Sequence, residues 1–186
     1  MVVFDSSKGN SDLPALNKYF GIFQDGIIKT RGIEARRHDV PSLFAKFQCE
    51  LLQSISTKNN IKDIIKIIPD LEGIYKRYRD LTYYKKVHFT ELVFTKRSFK
   101  DSNEYLDKKR ITIESCIIYL LSNRGKSLFA GQEIKYTITD FNNKNNLKRA
   151  IPIELIEQDS SPNYDTSKYC KLLNDCYNSI IKYFKW

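Results

Sequence analysis

The stretch NKYFGIFQDGIIKTRGIEARRHD, from Asn17 to Asp39, decides how the N-terminal part of this chain folds. At its centre stands Asp25-Gly26, a dipeptide that tolerates the positive φ angles of a two-residue type I′ turn. Phe20 and Ile22 precede this dipeptide, and further isoleucines follow it. The pattern therefore predicts a β-hairpin.

Basic and apolar residues alternate after the turn. Side chains two residues apart share one face of a strand. The prediction places Lys29, Arg31, Ile33 and Ala35 on one face, and Ile28, Thr30, Glu34 and Arg36 on the other. Neither face is purely apolar, so a core strand of a simple sandwich fits poorly. A surface that lies along a phosphate backbone fits better, and a solvated hairpin whose cations only maintain solubility is the alternative.

Charge and cysteine usage limit the possible functions. The 186 residues include 31 Lys and Arg against 22 Asp and Glu, a net charge of +9 that favours polyanionic partners. The four cysteines form no CxxC pair, which argues against a zinc site and is typical of a reducing compartment. No apolar run is long enough to span a membrane, and no signal-peptide pattern begins the chain. A cytoplasmic location is expected.

Periodicity predicts a helix-rich α+β fold. Apolar residues have helical spacing in residues 41–56 and 61–68. Pro69 should kink or restart the second helix, and helical spacing continues after it. Further helices are predicted over residues 112–122 and after Asp165, a suitable N-cap. Strands are predicted at ELVFT, at the strictly alternating residues 132–139 and at IPIEL, where Pro152 indicates an edge strand.

Tyrosines and basic residues interleave in YKRYRDLTYYKK, residues 75–86. Such a segment could stack on bases or sugars. Ile74, Tyr75 and Tyr78 have helical spacing, however, and this favours packing of the tyrosines along a helix.

The sequence lacks the residues of an independent catalytic centre. Two-metal nucleotidyl transfer needs carboxylates that converge on both ions, and no Asp-x-Asp occurs in the chain. Neither a GxxxxGK[ST] nor a GxGxxG phosphate loop is present, and no nucleophile lies in a recognisable elbow. We therefore predict no catalytic residues and no metal ligands in this chain.

Several segments, in order, resemble one enzyme family. ALNKYFGIFQDGIIKTRGIEARRHDVP resembles the end of the palm in archaeal family B DNA polymerases, and ELVFTKRSFKDSNEY resembles the thumb segment that follows. GQEIKYTITD, RAIPIELI and the closing YDTSKYCKLLNDCYNSIIKYFKW are also similar to that region. The resemblance spans nearly the whole chain. It implies a short β-hairpin remnant of the palm in residues 1–40 and a helix-rich thumb domain with a small β element in residues 41–186.

The resemblance also implies a set of DNA-binding residues. Three motifs and one hairpin cation contribute these residues. They are the basic-Tyr motif (Asn17, Lys18 and Tyr19), the basic cluster after the hairpin (Arg36, Arg37 and Asp39), the DNA-facing turn of the thumb (Thr95, Lys96 and Arg97) and the hairpin residue Arg31. The basic members would touch phosphates, which positions a duplex without reading its sequence. Tyr19 would pack at the sugar–phosphate edge.

In that family the catalytic carboxylates lie upstream of the matching region. The resemblance therefore implies a small subunit or C-terminal fragment of a DNA-directed DNA polymerase that is not catalytic alone. Its partners would be primer–template duplex DNA and a large subunit that carries the exonuclease and catalytic palm motifs. This chain would bind no cofactor, and Mg²⁺ would act in the assembled enzyme. Because Leu16 and Asn17 replace the two lysines of many members, a diverged paralogue that serves as a protein-interaction scaffold stays open as the alternative.

Overall fold

The computed structural model describes residues 2–6, 14–23, 27–58, 60–106, 112–157 and 162–184, with the backbone alone for 2–6, 14–18 and 106. The chain forms two compact units. The first comprises Met1–His38, Leu43–Leu81 and Cys170–Trp186, and the second comprises Asp39–Ser42 and Thr82–Tyr169. This grouping follows contacts within the chain. The division into palm-like residues 1–40 and thumb-like residues 41–186 stays a prediction.

A three-stranded antiparallel sheet belongs to the first unit. Its strands, in the order β1-β2-β3, are Val2–Ser6, Pro14–Ile22 and Ile28–Arg31. The β2–β3 ladder pairs Tyr19 with Arg31 and Ile22 with Ile28, which confirms the predicted hairpin. The turn predicted at Asp25-Gly26 lies outside the described residues. The additional strand β1 pairs along β2, so the hairpin is one part of a larger sheet.

Three helices complete the described part of this unit, together with most of a fourth. They are α1 (Ser42–Ser56), α2 (Ile61–Lys66), α3 (Ile68–Tyr83) and α6 (Thr166–Ile181), of which α6 contributes its residues from Cys170 onward. The helix does restart near Pro69, as predicted, because α3 begins one residue before it, and a proline in the first turn loses no helical hydrogen bond.

A cluster of aromatic rings packs within the first unit. Phe47 of α1 is fully buried, and its ring centroid lies 5.2 Å from that of Tyr78 and 6.3 Å from that of Tyr75. Tyr75 in turn stacks on Tyr177 of α6 at 4.7 Å. The preference for packing over base stacking is therefore confirmed for Tyr75 and Tyr78.

The second unit is built on another three-stranded antiparallel sheet. Its strands are β4 (Phe94–Arg97), β5 (Glu133–Ile138) and β6 (Ala150–Pro152), in that order. β5 buries Ile134, Tyr136 and Ile138, as its alternation predicted, but Thr137, which the alternation placed on the opposite face, is also fully buried. Pro152 lies on an edge strand, also as predicted, but the strand predicted at IPIEL ends there, because Ile153–Leu155 forms a 3-10 turn. The segment ELVFT is only partly a strand, because Phe89–Leu92 forms a 3-10 turn and β4 begins at Phe94.

Short helices pack beside this sheet. They are α4 (Ser102–Leu106) and α5 (Ile113–Ser122), whose N-cap Thr112 accepts a hydrogen bond from the Ser115 backbone N–H at 3.1 Å. The Asp165 carboxylate accepts from the Lys168 N–H at 2.9 Å, and this confirms the predicted cap of α6. Helices and two small antiparallel sheets thus give the predicted α+β class. No helix in the described ranges has the length and apolar character needed to cross a membrane.

Candidate nucleic-acid interface

The exposed face of β3 carries two cations. Lys29 and Arg31 point to solvent, whereas Ile28 and Thr30 on the opposite face are half-buried. This agrees with the predicted alternation along the strand. Within the described part of the chain, neither cation takes part in an ion pair.

The alternation was wrongly extended beyond Arg31. Gly32 has a φ of +68°, a left-handed conformation that glycine adopts without steric cost. The following residues Glu34–Arg36 form a 3-10 turn. Ala35 and Arg36 therefore do not lie on opposite faces of a continued strand. The chain turns, and a second pair of cations is presented from a different backbone conformation.

Gln48, which the sequence analysis missed, holds this turn in place. It lies on α1 and is completely buried. Its side-chain oxygen accepts a hydrogen bond from the Ala35 N–H at 2.8 Å, and its Nε2 donates to Glu34 Oε2 at 2.7 Å. The same Nε2 lies 3.3 Å from the carbonyl oxygen of Cys176 and 3.2 Å from Ser179 Oγ on α6. One buried amide thus fixes the turn to two helices.

A signal for Gln48 was present in the sequence. It stands four residues after Phe44 and four before Leu52, within the apolar stripe of α1. A polar side chain on a buried helix face needs hydrogen-bond partners. The sequence could not reveal that those partners come from the basic turn and from α6.

Arg36 and Arg37 are the exposed cations of this turn. Arg36 Nη1 donates to the carbonyl oxygen of Thr30 at 3.1 Å, so the guanidinium lies beside β3. Together with Lys29 and Arg31, these residues form what we call the hairpin cation set.

The basic-Tyr motif lies on β2 of the same sheet. Tyr19 is half-buried and is the register partner of Arg31, and antiparallel partners bring their Cβ atoms to within about 5.5 Å. Asn17 and Lys18 also lie on β2, where the structure describes their backbone alone. Six of the ten predicted residues thus belong to one sheet and the turn that follows it.

The other four predicted residues lie in the second unit. Lys96 Nζ is 2.9 Å from Asp39 Oδ2, and the Thr95 N–H donates to the Asp39 carbonyl oxygen at 3.4 Å. Asp39 therefore partly neutralises Lys96. Arg97 has three quarters of its side-chain surface exposed and lies 4.0 Å from Glu133. This second group thus contains an ion pair between two of its own members, whereas Lys29 and Arg31 form no ion pair within the described residues.

Acidic and thiol groups near these cations include Glu34 in the turn and Cys176 on α6. The described residues contain no cluster of three or more His, Cys, Asp or Glu that could hold a metal ion. Burial, and secondarily the nearby Glu34, raises the pKa of the Cys176 thiol, so this group stays protonated and is a poor nucleophile. A two-metal nucleotidyl-transfer site requires converging carboxylates.

No family model and no curated protein matches this sequence. The fold is similar to a solved structure of the family B DNA polymerase from the hyperthermophilic archaeon Pyrobaculum calidifontis, with a TM-score of 0.68 and 18% sequence identity. The similarity covers 96% of this chain but only 21% of the polymerase chain. The structure of this protein thus resembles one part of a family B DNA polymerase.

Proposed function

We propose that this chain holds primer–template duplex DNA as the palm-edge and thumb part of a family B DNA polymerase. The observation that carries the proposal is the hairpin cation set, presented by a sheet edge and by a turn that the buried Gln48 fixes. It occurs in a fold that resembles part of such a polymerase. Cations on a fixed backbone suit regularly spaced phosphates, and their contacts carry no sequence information.

The proposed DNA-binding residues have different roles. Lys18, Arg31, Arg36, Arg37, Lys96 and Arg97 would contact phosphates, and Tyr19 would pack against the sugar–phosphate edge. Asn17 and Thr95 would add polar contacts. Asp39, an anion beside Lys96, would orient that cation and not meet a phosphate itself.

The chemistry of the polymerase would come from elsewhere. We propose a larger partner that carries the exonuclease and the carboxylates of the catalytic palm, with Mg²⁺ bound by those carboxylates. Primer extension that requires both the partner and this chain would support that assignment. Mg²⁺-dependent extension by this chain alone would overturn it.

The salt dependence of duplex binding tests the proposed phosphate contacts directly. Each phosphate neutralised contributes about −0.9 to the slope of log K against log salt. Arg36→Ala/Arg37→Ala should therefore weaken binding and reduce the slope by about 1.8. Lys62→Ala/Lys66→Ala removes the same charge from α2, outside the hairpin cation set, and is the matched control.

Two outcomes would contradict the proposal. Duplex binding that does not change with salt would exclude a phosphate grip. An equal effect of both double variants would show that overall charge, and not this turn, drives binding. Binding that does not change with salt would favour the protein-interaction scaffold, whereas equal effects of both double variants would indicate non-specific electrostatic binding.

A further inference from the structure

The tyrosine-rich segment divides into a half-buried part and an exposed part. Tyr75 and Tyr78 are half-buried and pack against the fully buried Phe47 of the first unit. Tyr83 and Tyr84, at the end of α3, have 59% and 64% of their surface exposed. Their rings contact each other edge to face, with centroids 5.2 Å apart and planes at 88°. Two large aromatic rings that pack on each other and face solvent are not explained by the fold.

Lysines follow this pair directly. Lys85 and Lys86 are both exposed. Lys85 Nζ donates to the side-chain oxygen of Asn163, a neutral group, and within the described ranges neither Lys85 nor Lys86 takes part in an ion pair. No acidic residue occurs between Thr82 and Thr90 in the sequence. We call Tyr83, Tyr84, Lys85 and Lys86 the YYKK corner.

The YYKK corner is held firmly at both ends. Thr82 is fully buried and Val87 is buried on the other side. The carbonyl oxygen of Thr82 accepts hydrogen bonds from the Tyr164 hydroxyl and the Lys85 N–H, both at 3.2 Å. Lys85 has a φ of +55°, a conformation that is uncommon for a residue with a side chain. The corner is therefore a fixed shape and not a frayed helix end.

We propose that the YYKK corner binds unpaired nucleotides, with bases stacked on Tyr83 and Tyr84 and the strand's phosphates near Lys85 and Lys86. Aromatic platforms beside cations are the general means of binding single strands without sequence preference. The positive charge of Lys85 and Lys86 favours a polyanion over an apolar protein surface. This site is separate in residues from the proposed duplex grip and does not depend on it.

Binding of short single strands by the whole chain tests the site. Fluorescence anisotropy would use an oligothymidine, an oligouridine and an abasic DNA strand, each of about 16 nucleotides. Tyr83→Ala/Tyr84→Ala should weaken oligothymidine or oligouridine binding about tenfold or more, and Tyr83→Phe/Tyr84→Phe should retain it because the rings remain. The abasic strand should bind the unaltered chain about as weakly as the base-containing strands bind the Ala variant.

A matched control uses other exposed rings of the same unit. Phe99→Ala/Phe129→Ala removes two phenylalanines that are 90% and 64% exposed and lie outside the corner. It should leave single-strand affinity within about twofold. Equal losses in both Ala variants, or unchanged affinity in Tyr83→Ala/Tyr84→Ala for both base-containing strands, would overturn the proposal.

Duplex binding separates this proposal from the proposed function. Tyr83→Ala/Tyr84→Ala should leave duplex affinity within about twofold, whereas Arg36→Ala/Arg37→Ala should reduce it. A loss of single-strand binding confined to the tyrosine variant supports the corner even where the duplex proposal fails. A tyrosine variant that loses duplex and single-strand affinity equally would contradict a separate site.

Discussion

The hydroxyl of Tyr169 donates a hydrogen bond to the carbonyl oxygen of Leu92 at 2.7 Å. The same hydroxyl oxygen accepts from the backbone N–H of Ile138 at 3.0 Å. Tyr169 is completely buried, and its ring packs edge to face on Tyr164. One side chain at the start of α6 therefore satisfies two backbone groups of the second unit, one at the end of β5 and one just before β4.

Tyr169→Phe should destabilise the protein by about 1–3 kcal/mol, because a buried N–H and a buried carbonyl oxygen would both lose a partner. Urea denaturation followed by circular dichroism measures this change in the free energy of unfolding. Tyr84→Phe removes a solvent-exposed hydroxyl from the same unit and should change it by less than about 0.5 kcal/mol. Equal effects of the two substitutions would contradict the buried hydrogen bonds.

Stability should fall at alkaline pH. Burial raises the pKa of Tyr169 above its ordinary value of 10.0, and burial followed by the nearby Glu114 raises the pKa of Tyr136 in the same direction. Below pH 10.0 both states keep these protons and the full stability is present. As the pH rises further, the unfolded chain ionises first, so the free energy of unfolding decreases. Tyr169→Phe should show a smaller decrease between about pH 9 and pH 11 than the unaltered protein.

Gln48→Leu should lower both the free energy of unfolding and the affinity for duplex DNA. The substitution leaves the Ala35 N–H without its partner in a buried site, which costs about 1–3 kcal/mol. It also releases the turn that carries Arg36, so duplex affinity should decrease at a salt concentration where the protein stays folded. Gln53→Leu on the exposed face of α1 is the control. Unchanged duplex affinity in folded Gln48→Leu would argue against the positioning role of this residue.

Lys85→Gly should stabilise the protein by up to about 1 kcal/mol, since glycine adopts a φ of +55° without steric cost. Lys86, the next residue, has no positive φ, so Lys86→Gly should be neutral or destabilising. Thermal unfolding of the two variants measures the difference. Greater destabilisation by Lys85→Gly would mean that its contact with Asn163 outweighs the backbone conformation.

Local patterns were enough to predict most helices and strands. The apolar stripe of α1 appears in the structure as buried Leu43, Phe44, Phe47, Leu51, Leu52 and Ile55. The restart at Pro69, the cap at Asp165 and the edge position of Pro152 follow from rules that involve only near neighbours in sequence. Such features depend on residues a few positions apart, and the sequence contains all of that information.

The cation positions were only partly predictable. Period-two alternation placed Lys29 and Arg31 on the exposed face of β3 correctly. It failed at Gly32, because one residue with a positive φ ends the alternation, and the glycine was the only local signal of that break. The pairing of Lys96 with Asp39 joins residues 57 positions apart, which no local rule could reveal.

The sequence by itself determined the α+β class, the hairpin, the positions of the helices and the excess of positive charge. Tertiary structure alone decided the rest. It placed strand β1 beside β2, fixed the basic turn through Gln48 and its partners on α6, and stacked the half-buried Tyr75 on Tyr177 while leaving Tyr83 and Tyr84 exposed. The physical reason is that burial and hydrogen-bond partners depend on segments far apart in the chain. Periodicity describes only the face on which a residue lies.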